Sequence, residues 1–215
     1  MMTNPIKIDF VSDVSCPWCI IGLQALEQAL DKVKAEIDVE MHFQPFELNP
    51  QMGPDGQELF EHLAGKYGTT KAQSEENKEM IRARGEDVGF TFRMDRWTRI
   101  YNTFDTHRLL HWAGLEGRQS ELKHTLFDLH FTKGENPSDH GVLIRAAEQV
   151  GLDTQRAAEV LATNAYADDV RQAQEFYRNQ GIQAVPSVII NDRHLIQGGQ
   201  PVEVFERALR QIAAE

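Results

Sequence analysis

The sequence predicts an α/β protein, with a βαβ unit at its start, a long all-helical block in its middle and a ββα unit at its end. Three observations carry this. Apolar residues alternate with a period of two only near the two ends. Between them the helical period dominates. The only two cysteines, Cys16 and Cys19, stand where the first strand gives way to the first helix.

Ile6-Lys7-Ile8-Asp9-Phe10 alternates and reads as a strand over residues 6–12. From Pro17 onward, Cys19, Leu23, Leu26, Leu30 and Val33 recur at helical spacing, giving one apolar face of a helix that runs to about Ala35. Val39, Met41 and Phe43 alternate with Glu40, His42 and Gln44 in a second strand ending near Pro45. Such a βαβ unit implies a parallel strand pair with a right-handed crossover.

The middle changes character. Leu59, Leu63 and Tyr67 mark one helix; residues 72–84 form a polar one, with Ser74-Glu75-Glu76-Asn77-Lys78-Glu79 as a solvated face. Phe90-Thr91-Phe92 is a short apolar interruption. Helices follow at 103–115, 120–132, 139–150, 154–162 and 166–179, with Ser138 as a start signal and Gly151 and Gly181 as stops. Phe90, Phe92, Met94, Trp97, Tyr101 and Phe104 are expected to pack the block onto the sheet. Near the end, Ser187-Val188-Ile189-Ile190, the turn Asn191-Asp192-Arg193 and His194-Leu195-Ile196 read as a hairpin. After Gly198-Gly199 a last helix turns Val202, Phe205, Leu209 and Ile212 inward. Residues 1–47 and 182–215 therefore form one domain, and 48–181 an inserted helical domain.

Acidic residues outnumber basic ones by 33 to 22, a net charge of −11, and no basic stripe exists, which excludes a nucleic-acid surface. No apolar stretch is long enough to span a bilayer, so no membrane partner is expected. Met1-Met2-Thr3-Asn4-Pro5-Ile6 lacks the charged and apolar regions of a secretory signal, so a cytoplasmic protein is expected. A structural disulfide is ill-suited to that compartment, which leaves redox chemistry or metal binding for the cysteine pair. A zinc site wants four ligands; there is no second cysteine pair and the eight histidines have no tight ligand spacing, so no metal is expected.

Pro17 suits the first helical position, where its missing N–H is not needed, and puts Cys16 at the N-cap. The orphan N–H groups and positive dipole end of the helix then favour thiolate. Cys16 is expected to be a solvent-open nucleophile, more acidic than a free thiol of about 8.5. Cys19 lies one turn on, within about 5–6 Å between Cβ atoms, as a shielded resolving thiol. Trp18 is read as an exposed aromatic platform for substrate. Asp13 opposes thiolate formation unless its charge points away. Asn102 and Thr103, with Asp105 behind them, read as a helix N-cap, and His107 as a packing residue. Val185-Pro186 places a proline at the entry of a strand.

Taken together, Ser12-Asp13-Val14-Ser15-Cys16-Pro17-Trp18-Cys19, Asn102-Thr103, His107-Arg108-Leu109, Gly181-Ile182-Gln183-Ala184-Val185-Pro186-Ser187 and Gly198-Gly199-Gln200-Pro201 resemble the FrnE-like branch of the DsbA family. That branch is related to kappa-class glutathione transferases and 2-hydroxychromene-2-carboxylate isomerases. The resemblance implies a thioredoxin-like fold and a cis Val185–Pro186 bond. It also implies a substrate site made by Pro17, Trp18, Val185, Pro186, Asn102 and Thr103, with the Val185 backbone pairing with extended thiol substrates. The isomerase-like relatives typically carry Ser at the position of Cys16, so the intact pair moves the reading away from them.

The expected function is thiol–disulfide exchange, with Cys16 as nucleophile and Cys19 resolving, acting on protein or small-molecule thiols and disulfides. No bound cofactor is expected; glutathione is a candidate co-substrate. Two alternatives stand beside it. One is a glutathione-dependent isomerase or transferase for an aromatic or polyketide-like small molecule. The other is a non-catalytic module holding extended peptides around Pro186.

Overall fold

The computed structural model describes residues 5–53 and 55–215. The segment read above for a secretory signal lies mostly outside the described residues. In chain order the elements are β1 (Ile6–Ser12), α1 (Pro17–Val33), β2 (Val39–Pro45), β3 (Gln57–Glu58), α2 (Leu59–Tyr67), α3 (Lys71–Asp87), β4 (Arg99–Ile100), α4 (Phe104–Leu115), α5 (Gln119–Phe127), a π-helical turn (Asp128–Thr132), α6 (His140–Gln149), α7 (Thr154–Ala162), α8 (Ala167–Asn179), β5 (Ser187–Ile190), β6 (His194–Gln197) and α9 (Val202–Ala213). Four strands form the main sheet in the order β2-β1-β5-β6. β1 runs parallel to β2, with Phe10 opposite Phe43, and antiparallel to β5, with Phe10 opposite Val188.

β1 is the central strand, and both of its faces are covered. Ile8 and Phe10 are fully buried, but so is Asp9 on the opposite face, at 2 % exposure. Its carboxylate accepts from Gln44 (2.6 Å) and pairs with Lys7 (2.9 Å). This satisfies a charge that burial would otherwise penalise heavily.

Helix α1 is buried more widely than one apolar stripe. Ile20, Ile21, Gly22, Ala25 and Ala29 are inside along with Cys19, Leu23, Leu26 and Val33, because α9 and α3 both pack against it. Gly22 makes room for this: a Cβ there would lie 3.1 Å from Pro186 Cγ and 3.3 Å from Gly199 Cα.

The helical block follows the predicted spans closely, with corrections at its joints. Asp139, not Ser138, caps α6, accepting from Val142 N (2.9 Å); the Ser138 hydroxyl instead donates to Asn102 O. The predicted helix over 120–132 finishes in the π-helical turn. That turn carries Phe131 into a cluster with Phe90, Phe92, Trp97 and Phe127. These aromatics pack on one another and belong to the same buried core as Ile8, Phe10 and Val188 of the sheet. β3 and β4, two residues each, were too short to leave a period-two signal. On α3, Ser74 is buried although its sequence neighbours are exposed. Arg108 is buried as well, and donates to Ala165 O (2.9 Å) and to the carbonyls of Val160 and Thr163, fastening α4 to the end of α7.

Candidate active site

The site grows from the β1–α1 junction. Cys16 caps α1 with extended backbone (φ −95°, ψ 113°) and Pro17 follows at the first helical position. The first turn of α1 itself holds no acidic residue. Yet Cys16 Sγ makes no cap bond to a backbone N–H. It points the other way, to Val185 O at 3.7 Å. The loop it meets contains a cis Val185–Pro186 peptide bond, as the resemblance implied. Pro186 O in turn accepts from Gly198 N (2.8 Å), tying this loop to the end of β6.

Cys16 is also less open than an exposed nucleophile would be. It is 4 % exposed, at the foot of a cleft of about 470 Å³. Insertion residues shade it: Leu59 and Leu63 from α2, Met80 and Ile81 from α3, and Trp97 and Ile100 line the cleft with Trp18 and Val185. Trp18 is therefore half-buried rather than a free-standing platform. Gly199 lies beneath it, where a Cβ would come 3.1 Å from Trp18 O. Arg84 of α3 donates to Gly199 O (3.3 Å) and holds the insertion against this corner.

The cleft has a distinct electrostatic character. In a chain of net charge −11 no carboxylate lines it, and Lys66 is the one charged side chain among the described lining residues. Burial, with Lys66 nearby, lowers the pKa of His62, which favours a neutral ring. Ser15 Oγ, next to Cys16, is buried without a hydrogen-bond partner among the described residues.

Behind the pair the surroundings are polar. Cys19 is fully buried, and its thiol is pushed well up by burial, then by its hydrogen bond to Cys16 and that sulfur's charge. Asp13 is fully buried too. It accepts from Leu48 N (2.8 Å) and Ser15 N (3.3 Å), with His107 Nε2 at 3.5 Å. Burial raises its pKa, but His107, the Leu48 N–H and Thr103 outweigh that and hold the carboxyl at about 2. Its charge is spent on these donors.

Thr103 is thus 2 % exposed and sits behind the thiols, and neither it nor Asn102 lines the cleft. Thr103 holds the N-cap position of α4 but makes no side-chain cap bond; Asn102 Oδ1, one residue earlier, accepts from Phe104 N (2.9 Å), while its amide donates to Pro50 O (3.5 Å). His107 packs inside and bonds Phe46 O (2.9 Å). Sequence reasoning missed Lys123 of α5, which is 1 % exposed and lines a small cavity with His107 and Gln119; burial lowers its pKa to about 8, partly offset by the charges of Cys19, Asp13 and Cys16. Its signal was its spacing: Gln119, Lys123 and Phe127 fall on one helical face, but a lysine is read as solvated by default. Among the described residues no cluster of His, Cys, Asp and Glu is arranged to hold a metal.

Residues 7–210 match the DSBA-like thioredoxin domain. The chain belongs to that family. A curated relative of this DsbA-like protein is the uncharacterized protein YwbO of Bacillus subtilis (strain 168), 30% identical over 209 residues, covering 97% of this chain and 96% of that one. Among solved structures, the probable DsbA oxidoreductase SCO1869 from Streptomyces coelicolor superposes with a TM-score of 0.92 at 32% identity, covering 98% of this chain and 91% of the other. The cytosolic disulfide reductase DsbM from Pseudomonas aeruginosa, solved with GSH, shares the fold at 16% identity and a TM-score of 0.65, covering 97% and 100%. No helix among the described residues of this DsbA-like chain is long and apolar enough to cross a membrane.

Proposed function

We propose that this protein is a dithiol–disulfide oxidoreductase of a reducing compartment, acting on small or extended disulfides with apolar flanks. The observation that carries the reading is Cys16 at the N-cap of α1, facing Val185 O at the foot of an apolar cleft, with Cys19 one turn behind. Cys16 as thiolate attacks a substrate disulfide. A Cys16–substrate S–S bond forms, the substrate S–S bond breaks, and one substrate thiolate leaves. Cys19 then attacks Cys16 Sγ, the mixed disulfide breaks, and the second substrate thiolate leaves. Two electrons pass from the cysteine pair to the substrate. An extended substrate that donates an N–H to Val185 O takes the acceptor which the Cys16 thiol now uses, and so displaces the thiol proton from its partner.

The recessed sulfur speaks for the substrate class. At 4 % exposure Cys16 is out of reach for a disulfide on a broad folded surface, whereas a small molecule or an unfolded segment enters the cleft. Glutathione is the proposed electron source, a reading supported by the fold shared with a disulfide reductase solved with GSH. The same neighbour, and a chain whose only two cysteines are this pair, support a cytosolic setting.

The test is a pair of variants assayed with glutathione disulfide and with an aromatic disulfide. Cys16→Ser is expected to lose exchange to background, and Cys19→Ser to accumulate a mixed disulfide visible by mass spectrometry. Wild-type turnover by Cys16→Ser refutes the reading.

A further inference from the structure

Lys66 is the one charged side chain among the described residues that line the cleft in front of Cys16. It stands on the last turn of α2, and it is held in place. Its Nζ donates to Leu48 O (3.0 Å) and to Asn49 Oδ1 (2.8 Å), both on the loop after β2. These acceptors are neutral, so they position the charge without cancelling it. The lysines that ion-pair among the described residues are Lys7, Lys32, Lys34, Lys78 and Lys133; Lys66 is not one of them. An ammonium carries three donors, so one is left for an anion. Leu59, Leu63 and Lys66 follow one another at helical spacing on the face of α2 that lines the cleft. Leu59 is 2 % exposed and Tyr67, beside Lys66, is 64 % exposed. This face therefore runs from floor to mouth over about 10 Å of helix. A polar recess adjoins the mouth and shares Tyr67, Thr69 and Asn77 with the cleft; its carboxylate, Glu76, is not among the residues lining the cleft.

We propose that Lys66 is a specificity determinant, and that the cleft takes a disulfide whose entering arm has an apolar body and ends in a carboxylate. The body lies against Leu63, Met80 and Trp18, and the carboxylate pairs with the Lys66 ammonium. This rests on the oxidoreductase reading above and narrows its substrate class. With a net charge of −11 the protein repels anions over most of its surface. At the mouth of the cleft such an anion meets a cation that no carboxylate of the chain has claimed. Leu48 and Asn49 already hold that cation, so less side-chain freedom is lost when the ion pair forms. His62, on the same helix, has its pKa lowered by burial and then by Lys66, which favours a neutral ring and leaves Lys66 as the cation. A neutral apolar arm gains the cleft wall without the ion pair. A carboxylate on a polar arm, as in glutathione disulfide, gains the ion pair without the wall. Only an arm with both features uses the whole cleft.

The experiment gives the whole protein two aromatic disulfides at pH 7: dithiobis-nitrobenzoate, with a carboxylate on each ring, and dithiodipyridine, which is neutral. Glutathione disulfide is the third substrate. The readout is the ratio of kcat/KM for the carboxylate-bearing aromatic to that for the neutral one. Lys66 is exposed to solvent, so in Lys66→Met this ratio is expected to fall by about fivefold, through KM. Lys66→Arg, which keeps the cation, is expected to keep the ratio. Lys34→Met removes the same charge from an exposed site outside the cleft and is expected to leave the ratio as in wild type. A wild-type ratio in Lys66→Met, or an equal fall in Lys34→Met, overturns the proposal. A loss confined to glutathione disulfide also overturns it, in favour of a peptide carboxylate. If Lys66→Met fails to fold, the wild-type protein decides. Its ratio is expected to fall as added salt screens the ion pair, and a ratio independent of salt overturns the proposal. Wild-type protein that reduces neither aromatic disulfide defeats the oxidoreductase reading itself, whereas turnover of both with an unaltered ratio in Lys66→Met defeats this inference alone.

Discussion

The two sides of the cysteine pair are built from opposite materials. In front of Cys16 lies a cleft walled by Trp18, Leu59, Leu63, Met80, Ile81 and Trp97, with no carboxylate among its described lining residues. Behind Cys19 lie Asp13, His107, Thr103 and Lys123, polar and almost wholly enclosed. An apolar front excludes water and selects what reaches the sulfur. A polar back stabilises or moves charge, where low dielectric magnifies each interaction. On the exchange reading proposed above, selection falls to the front and the holding of charge to the back.

The comparison breaks most visibly at the sulfurs themselves. Cys16→Ser is expected to abolish exchange, while Cys19→Ser keeps the first step and stalls at the mixed disulfide; mass spectrometry of trapped adducts separates them. Next comes the back of the site. Asp13→Ala leaves the buried Leu48 and Ser15 N–H groups without their acceptor and is expected to cost about 1–3 kcal/mol per stranded donor at most, read as a fall in denaturant midpoint. The Asp13 carboxyl sits at about 2 in the folded chain, below the unfolded value of about 3.9. Its contribution to stability is therefore fully present above about pH 4 and is lost as the pH falls from there toward 2, on the order of 2 kcal/mol. Acid unfolding of wild type should be steeper over that window than that of Asp13→Asn.

The front is tested by charge. Leu63→Glu places a carboxylate in the cleft and is expected to lower kcat/KM for an aromatic disulfide by about tenfold, a loss of roughly 1.4 kcal/mol of transition-state binding. Its first-step rate should recover as the new carboxyl is protonated. The smallest effect belongs to Tyr67→Ala at the rim. Tyr67 is 64% exposed, so stability should move by less than about 0.5 kcal/mol, while KM for apolar substrates rises a few-fold. Equal changes for glutathione disulfide and an aromatic disulfide would show that the cleft does not select by polarity.

Much of this was legible in one dimension, and where it failed the reasons are specific. β1, β2, β5 and most of the insertion helices fall within a residue or two of the positions set by their periodicity. Cys16 at the N-cap and Pro17 after it follow from local backbone rules alone. The sequence could not reveal that Asp9 and Lys123 lie inside, because a charged residue goes inward only when distant segments supply its partners. Nor could it place Asn102 and Thr103, whose cap geometry is local but whose distance from the cleft is set by how α4 packs.

By itself, then, the chain determined its elements, their order and the pairing of two thiols at the start of a helix, because periodicity, capping and proline geometry act over a few residues. Tertiary structure decided the rest. It turned Cys16 toward Val185 instead of the backbone N–H groups of its own helix, lowered it into a cleft roofed by α2 and α3, and set a lysine from α5 behind its partner. Those outcomes depend on side chains far apart in sequence meeting in a low-dielectric interior, where the energy of a charge is set by its neighbours in space.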